Sequence, residues 1–183
     1  MKIALVVGHR NGAQGAVGSE GISEYRFWDD LLHELIVDGW LSDDNEVRIF
    51  YRKDRASGYG ERMRDLHRRI DAWGADISVS FHFNAAGNKR VDGHEVLYCS
   101  KGGKKLAEIM DALFDQYLDN RCRGIKKRGR KDRGGGFLCR GRSTCILIEP
   151  FFASHQHLYT DGGDERENLM SAIADFINLV NVV

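Results

Sequence analysis

Short apolar runs alternate with longer segments whose apolar residues recur at helical spacing, and this alternation is the strongest constraint on the fold. Lys2–Gly8 is a continuous apolar run closed by glycine, which is typical of a buried strand. Ser23 can cap a helix over Tyr25–Trp40, where apolar residues return every three or four positions. Strands that alternate with such helices predict a mostly parallel sheet covered on both faces.

The remaining segments continue the alternation. Further strands are predicted at Glu46–Tyr51, Asp76–Phe83, Gly93–Cys99 and Thr144–Pro150, and further helices at Gly60–Trp73, Lys104–Leu118 and Asn168–Val180. The polar, basic and glycine-rich stretch Asp119–Gly136 is expected to be a long surface loop or a poorly ordered flap. The predicted architecture is therefore a single α/β domain over residues 1–183, with a mixed, mostly parallel sheet of about six strands and helices on both faces.

Three of the predicted strands end in residues that bind metals or move protons. His9 follows the first strand, His82 lies near the end of the third, and Glu149 closes the strand that begins at Thr144. In open α/β sheets, ligands gather outside the carboxyl ends of the strands. These three side chains are therefore expected to share one pocket.

The third strand favours a ligand role for its histidine. Residues at odd positions from Ile77 to Phe83 are apolar, whereas the alternate face carries Ser78, Ser80, His82 and Asn84. Small polar neighbours leave room for an ion or a substrate beside the imidazole. A single histidine in this position could equally be structural, but the matching position of His9 favours metal binding.

Glu149 follows four apolar residues, so its carboxylate is expected to be buried. Burial of a carboxylate is costly unless a cation or hydrogen bonds compensate, and it raises the pKa toward the range of a general base. Pairing with an arginine is the alternative. A catalytic zinc commonly has two histidines and one carboxylate as ligands, and Glu24 at the head of the first helix is the best third ligand, with Glu20 as the alternative.

The ordered set of motifs resembles the zinc-dependent N-acetylmuramoyl-L-alanine amidase family of cell-separation enzymes and phage endolysins. Gly8-His9 and the glycine-rich stretch after it look like the family's first ligand motif, and Ile22-Ser23-Glu24 is similar to its second. The stretch Asp76–Ala86 resembles the segment that carries the third ligand, His82. Ile146–Glu149 resembles the strand that ends in the catalytic glutamate.

Two further elements extend the resemblance along the chain. Gly93-His94-Glu95 lies where the family has a glycine and a glutamate, and Arg123-Gly124-Ile125-Lys126 looks like an Arg-Gly-Val-Lys element near the substrate. The resemblance therefore implies Asn84, Glu95, Arg123 and Lys126 as candidate substrate-binding residues.

The resemblance implies hydrolysis of the amide between the lactyl group of N-acetylmuramic acid and the first alanine of the stem peptide. One Zn²⁺ would be held by His9, Glu24 and His82, and Glu149 would transfer the proton. A zinc peptidase or carboxypeptidase on another amide would use the same ligands, so it remains an alternative. The His155/His157 pair is a weaker ligand candidate.

The charge distribution limits the possible partners. The formal net charge is zero, which gives no overall attraction to nucleic acid. Between Arg121 and Arg142, however, ten Lys or Arg residues accompany one acid, Asp132. This stretch is interpreted as a solvated loop or a surface for anionic wall polymers or substrate carboxylates. A non-enzymatic module that binds wall polymer or nucleic acid is an alternative, although Phe137 is its only aromatic residue for stacking bases.

Apolar runs and cysteines give expectations about location. No stretch approaches the roughly 20 apolar residues of a membrane span, and the first apolar run is too short for a signal peptide. Synthesis in the cytoplasm is expected, with action on the wall after release through a separate membrane-permeabilising protein. The four cysteines lack CxxC spacing and are expected to be reduced thiols.

Overall fold

A six-stranded sheet lies at the centre of the chain, which the computed structural model describes over residues 1–54 and 58–180. The strands are β1 (Lys2–Val7), β2 (Glu46–Phe50), β3 (Ile77–Phe81), β4 (His94–Tyr98), β5 (Cys122–Lys127) and β6 (Thr144–Glu149). Their order is β2-β1-β3-β6-β4-β5, and every neighbouring pair is parallel except β4 and β6. The predicted mixed, mostly parallel sheet is confirmed.

Helices cover both faces of this sheet, as predicted. They are α1 (Glu24–Val37), α2 (Tyr59–Trp73), α3 (Lys101–Tyr117), α4 (Gly135–Leu138) and α5 (Arg166–Leu179), with a 3₁₀ helix at Ala153–Leu158. Residues of α1, α3 and α5 join the larger apolar core, and residues of α2 and α4 join a smaller core on the opposite face. No helix in the described ranges is both long and apolar enough to cross a bilayer.

Alternate residues of the central strands feed the two cores. In β1, Leu5 packs into the larger core and Val6 into the smaller one. In β6, Ile146 and Leu147 divide in the same way. Strands buried on both faces appear in sequence as continuous apolar runs, which is why β1 and β6 were recognisable.

Serine side chains set the starts of two helices. Ser23 Oγ accepts a hydrogen bond from the Arg26 N–H, which confirms the predicted cap and places Glu24 in the first turn of α1. Ser100 Oγ accepts from the Gly103 N–H at 2.9 Å, and α3 therefore begins at Lys101 rather than at the predicted Lys104. The sequence prediction missed this first turn because two of its residues are glycines.

The prediction of a long loop over Asp119–Gly136 is wrong, because the segment contains β5 and the start of α4. β5 is an edge strand that pairs only with β4, and its side chains are half-buried or exposed. An edge strand can be polar and charged, because one of its sides faces solvent. Its sequence therefore lacks the apolar pattern by which the other strands were found.

The expectation of four reduced cysteines is wrong for two of them. Cys99 and Cys139 form a disulfide across a sequence separation of 40 residues, with their Cα atoms 5.6 Å apart. Cys122 and Cys145 are free. The bond joins the end of β4 to the end of α4, two positions that become neighbours only when α4 packs on the sheet.

Candidate metal and proton-transfer site

Two histidines meet at the carboxyl edge of the sheet because β1 and β3 are parallel neighbours in register. Val7 and Phe81 are direct partners, so the residues that follow each strand leave the sheet side by side. The rings of His9 and His82 lie in an edge-to-face arrangement with their centroids 5.1 Å apart. The structure thus brings together the two histidines that the sequence paired.

Glu24 joins these histidines from the first turn of α1. Its Oε1 lies 2.7 Å from His82 Nδ1, and its Oε2 lies 3.0 Å from His9 Nε2. One ligand atom of each of the three residues lies within 4.8 Å of the others. The carboxylate is almost fully buried, at 3% exposure, whereas the alternative ligand Glu20 is exposed.

Glycines allow the chain to close around this cluster. A Cβ at Gly8 would lie 2.3 Å from the Phe81 carbonyl oxygen, and a Cβ at Gly15 would lie 2.6 Å from both Glu24 Oε2 and His9 Cδ2. His9 has φ 65, the one left-handed non-glycine conformation among the described residues. Such backbone strain is common where a side chain is held for function.

Hydrogen bonds, rather than burial, decide the charge of Glu24. Burial alone would raise its pKa, but the contacts with His82 and His9 outweigh burial and lower the pKa to about 2. Burial lowers the pKa of His82, with Glu24 opposing the change. An ionised carboxylate beside a neutral imidazole is a donor set that suits a divalent ion such as zinc.

Glu149 reaches the same edge of the sheet from the end of β6. Its Oε1 lies 3.0 Å from Arg133 Nη2, while its Oε2 is buried without a hydrogen bond from the described residues. Burial raises the pKa of Glu149 to about 7; the charge of Arg133 opposes the rise and that of Glu95 adds to it. A carboxyl group with this pKa can exchange a proton near neutral pH.

Glu95 and its cationic partners lie beside Glu149. The antiparallel pairing of β4 with β6 makes Glu95 and Glu149 direct partners. Glu95 Oε2 lies 3.1 Å from Arg123 Nε and 3.1 Å from Lys126 Nζ. Burial alone would raise the pKa of Glu95, but hydrogen bonds from Arg123, Lys126 and Asn84 lower it to about 2.

A cavity of about 190 Å³ connects the histidines to Glu149. Its polar lining comes from His9, His82, Glu149, Ser80, Arg52 and Arg133. Phe137 and Leu97 contribute to its apolar wall. The two histidines and a carboxyl group of raised pKa therefore face one small space.

Sequence reasoning missed two arginines at this site. Arg133 was part of the basic stretch, and nothing in its sequence context distinguished it from the other cations there. Arg52 donates from Nε to the carbonyl oxygen of His9 at 2.6 Å, which helps to hold the strained residue. His155 and His157 lie elsewhere, where they contact Asp92 and Ser19 and join no metal-binding group of the described residues.

Two of three comparisons with known proteins found matches. The sequence profile of a family described as N-acetylmuramoyl-L-alanine amidase matches residues 3–178. No individually curated protein matches the chain. Several solved structures share the fold, including the catalytic domain of CwlV, an N-acetylmuramoyl-L-alanine amidase from Bacillus (Paenibacillus) polymyxa var. colistinus. That domain has 20% identity and a TM-score of 0.77, over 96% of this chain and 95% of that one.

Two other structures have similar scores. The catalytic domain of an endolysin targeting Clostridia difficile has 22% identity and a TM-score of 0.73, over 97% of this chain and 94% of that one. N-acetylmuramoyl-L-alanine amidase AmiC2 of Nostoc punctiforme has 22% identity and a TM-score of 0.72, over the same shares of the two chains. At these identities the structural matches establish the fold.

Proposed function

We propose that this chain, which belongs to the N-acetylmuramoyl-L-alanine amidase family, uses one zinc ion and Glu149 to hydrolyse its amide substrate. Because it belongs to this family, the chain is a peptidoglycan hydrolase. The finer assignments are the metal, its ligands and the role of each residue. The whole of residues 1–183 is proposed to act as one zinc amidase catalytic domain.

Zinc is proposed to bind His9, Glu24 and His82. Two nitrogen atoms and a buried, ionised carboxylate match the donor set of catalytic zinc sites, which leave a fourth position open. When bound, zinc would polarise the amide carbonyl and lower the pKa of a water molecule toward about 7. Arg52 and the nearby glycines keep the ligands in place without supplying a donor atom of their own.

Glu149 is proposed to be the residue that moves the proton. Its ionised form would accept a proton from the attacking water, and its protonated form would donate that proton to the leaving alanine nitrogen. With a pKa of about 7, both forms are accessible near neutral pH. The oxygen without a hydrogen bond, Oε2, is the atom free to make this exchange.

Asn84, Glu95, Arg123 and Lys126 are proposed to contact the substrate beside Glu149, the strand partner of Glu95. Arg123 and Lys126 share one carboxylate on Glu95, so both cations lie at the edge of the site in a fixed arrangement. Each is only about one-third exposed. The stem peptide of peptidoglycan carries carboxylates, which these two side chains could bind by displacing part of their contact with Glu95.

The observation that carries this proposal is the shared cavity that His9, His82 and Glu149 line, with Glu24 in contact with both histidines. Purified peptidoglycan digested by the chain should gain alanine amino termini, whereas the number of glycan reducing ends should stay constant. A chelator should abolish the reaction, and added zinc should restore it. New amino termini other than alanine would indicate a zinc peptidase, and digestion unaffected by a chelator would contradict the zinc mechanism.

Access to the wall completes the proposal. The expected partner is a separate membrane-permeabilising protein that lets the enzyme pass from the cytoplasm to its substrate. Co-expression of the chain with and without such a protein tests this step. Lysis that depends on the permeabilising protein is the expected result, and wall degradation by the chain alone would contradict it.

A further inference from the structure

A second group of metal-binding side chains lies on the α3 side of the sheet, away from the proposed catalytic zinc. It consists of His94 at the start of β4, Cys122 at the start of β5 and Asp115 on α3. Asp111, one turn before Asp115, lies beside the group in contact with His94 and Cys122. His94 and Cys122 are direct partners in the parallel pairing of β4 and β5. One ligand atom each from His94, Asp115 and Cys122 lies within 4.8 Å of the others.

The imidazole of His94 faces this group with an unpartnered nitrogen. His94 is fully buried, and its Nε2 has no hydrogen-bond partner among the described residues. The nearest polar atoms are carboxylate oxygens of Asp115 and Asp111, at 3.4 and 3.7 Å. A buried nitrogen in that position needs either a proton shared with the carboxylates or a cation between them.

Asn120 fixes the proton on the other nitrogen of the ring. The amide Nδ2 of Asn120 donates to the Pro150 carbonyl and to the Tyr159 hydroxyl, so its Oδ1 is the acceptor that faces His94. His94 Nδ1 lies 2.7 Å from that oxygen and must donate to it. In the neutral ring, the lone pair is then on Nε2, which is the arrangement that metal-binding histidines commonly adopt.

The separations of His94 Nε2 from the two aspartates match a shared ion better than direct hydrogen bonds. Charge-assisted N–H···O contacts are about 2.7–2.9 Å long, whereas Nε2 of His94 lies 3.4 and 3.7 Å from the two aspartates. Two ligands of one tetrahedral zinc, each about 2.0–2.3 Å from the ion, lie about 3.3–3.7 Å apart. Cys122 Sγ donates to the two carboxylate oxygens of Asp111 at 3.7 and 3.8 Å, and a bound ion would replace this thiol proton.

We propose that His94 Nε2, Cys122 Sγ and the carboxylates of Asp111 and Asp115 form a second zinc site, which joins β4, α3 and β5. A thiolate, an imidazole and carboxylates are donors that zinc accepts in four-coordinate sites. An ion there would neutralise two acidic side chains that lie one helical turn apart. The site would stabilise the β4–β5 edge, where Glu95, Arg123 and Lys126 are located.

Cobalt substitution tests this site without relying on activity. The full chain is stripped with a chelator under non-reducing conditions and reconstituted with Co²⁺, and the near-ultraviolet thiolate-to-cobalt absorption is recorded. The wild type and His9→Ala should both show the absorption, because His9 belongs to the other cluster. Cys122→Ser should lose it. A wild type without the absorption, or a Cys122→Ser variant that keeps it, would overturn the proposal.

Zinc content gives an independent measurement. The wild type should bind two zinc equivalents and Cys122→Ser one, while Glu108→Gln should keep two. Glu108 is a matched control because it is an exposed acid on α3 that pairs with Lys104 outside the group. Asp115→Asn alters a half-exposed side chain, so the chain should stay folded. The affinity of the second site for zinc should fall at least tenfold.

Alkylation of Cys122 completes the test. Cys122 is exposed and Cys145 is buried, so iodoacetamide should react first with Cys122. Zinc should slow this reaction in the wild type, and a chelator should restore its rate. In the zinc-content measurement, a catalytic cluster that binds no zinc would leave the wild type with one zinc ion, at the second site, and Cys122→Ser with none. Equal alkylation rates with and without zinc would count against the second site.

Discussion

Glu24 and Glu149 are buried glutamates at the same edge of the sheet, yet their surroundings move their pKa values in opposite directions. Both are about 3% exposed, so burial favours the neutral form of each. Glu24 has a histidine on each carboxylate oxygen, and its pKa is lowered to about 2. Glu149 has one arginine on one oxygen, and its pKa is raised to about 7.

The contrast shows that the neighbours of a buried carboxylate, rather than its depth, decide what it can do. A carboxylate that stays ionised at all physiological pH values can hold a metal but cannot deliver a proton. A carboxyl group with a pKa near 7 can accept and return a proton. The two glutamates thereby divide metal binding and proton transfer between them in the proposed mechanism.

Replacement of each glutamate by glutamine should separate the two roles and produce the largest effect. Glu149→Gln should lower kcat by about 10²- to 10⁴-fold, the usual contribution of a general acid–base group, while zinc stays bound. Glu24→Gln should lose zinc from the catalytic cluster as well as activity. The rate of alanine amino-terminus release and the zinc content measure the two effects.

The matched background for this experiment is Cys122→Ser, which removes the proposed second zinc site from the metal count. In that background the parent should hold one zinc, Glu149→Gln should hold one, and Glu24→Gln should hold none. A Glu149→Gln enzyme with undiminished turnover would remove Glu149 from the mechanism. Tight zinc binding by Glu24→Gln would remove Glu24 from the ligand set.

In the metal-free chain, the same two substitutions should change the free energy of unfolding with opposite dependences on pH. The pKa of Glu149 rises from 4.5 to about 7 on folding, so its contribution to the free energy of unfolding falls as pH increases between those values. The free energy of unfolding of Glu149→Gln, taken relative to wild type, should therefore increase by up to about 3 kcal/mol between pH 5 and pH 8.

Glu24 should behave in the reverse sense. Its folded pKa of about 2 lies below 4.5, so its stabilising contribution is present above pH 4.5 and is lost as pH falls toward 2. Glu24→Gln should be less stable than wild type near neutral pH by a few kcal/mol. Urea unfolding across pH measures both differences, with Glu108→Gln as the surface control. Parallel pH trends for the two variants would contradict the contrast.

The pH dependence of activity should show the smallest change, a shift of the acid limb of the kcat/KM profile along the pH axis. The general base works only when deprotonated, so activity should rise with pH through the pKa of Glu149 in the zinc-loaded enzyme. Glu95→Gln removes a negative neighbour, lowers the pKa of Glu149 and should move the limb to lower pH. Arg133→Gln removes a positive neighbour and should move it to higher pH.

Arg142→Gln is the control for these two variants. Arg142 is an exposed cation of the same basic stretch, but it lines a different cavity with Arg64 and Arg68. Arg142→Gln should leave the pH profile of kcat/KM unchanged. If the acid limb of the kcat/KM profile moves in the same direction in Glu95→Gln and Arg133→Gln, the titrating group is not Glu149.

The sequence predicted the sheet because its central strands are buried on both faces. β1 and β6 are continuous apolar runs, and Ser23 gave the start of α1 to within one residue. The polar edge strand β5 was missed because its residues need no apolar pattern. The Cys99–Cys139 bond was missed because its two ends meet only through the packing of α4 on the sheet. That helix has four residues and lies among glycines, so its sequence shows no helical pattern.

The candidate site was predictable where a residue stands at the end of a strand. His9, His82 and Glu149 were placed by that rule, and the structure gathers them around one cavity. Glu24 came mainly from the family resemblance, since a glutamate in the first turn of a helix is common for electrostatic reasons alone. Arg133 and Arg52 had no distinguishing signal, because many cations near them in sequence point elsewhere.

The reversed direction of β4 divides the active edge into two halves of different origin. The proposed metal ligands lie just after β1 and β3 and in the first turn of α1, whereas β4 and β5 present the beginnings of their strands to the same edge. The polar side chains of β5 lie on an outer ribbon that no other strand covers. Substitutions of Arg123 or Lys126 should therefore reach Glu149 through Glu95, so this outer ribbon couples the grip on the substrate to the proton affinity of the proposed general base.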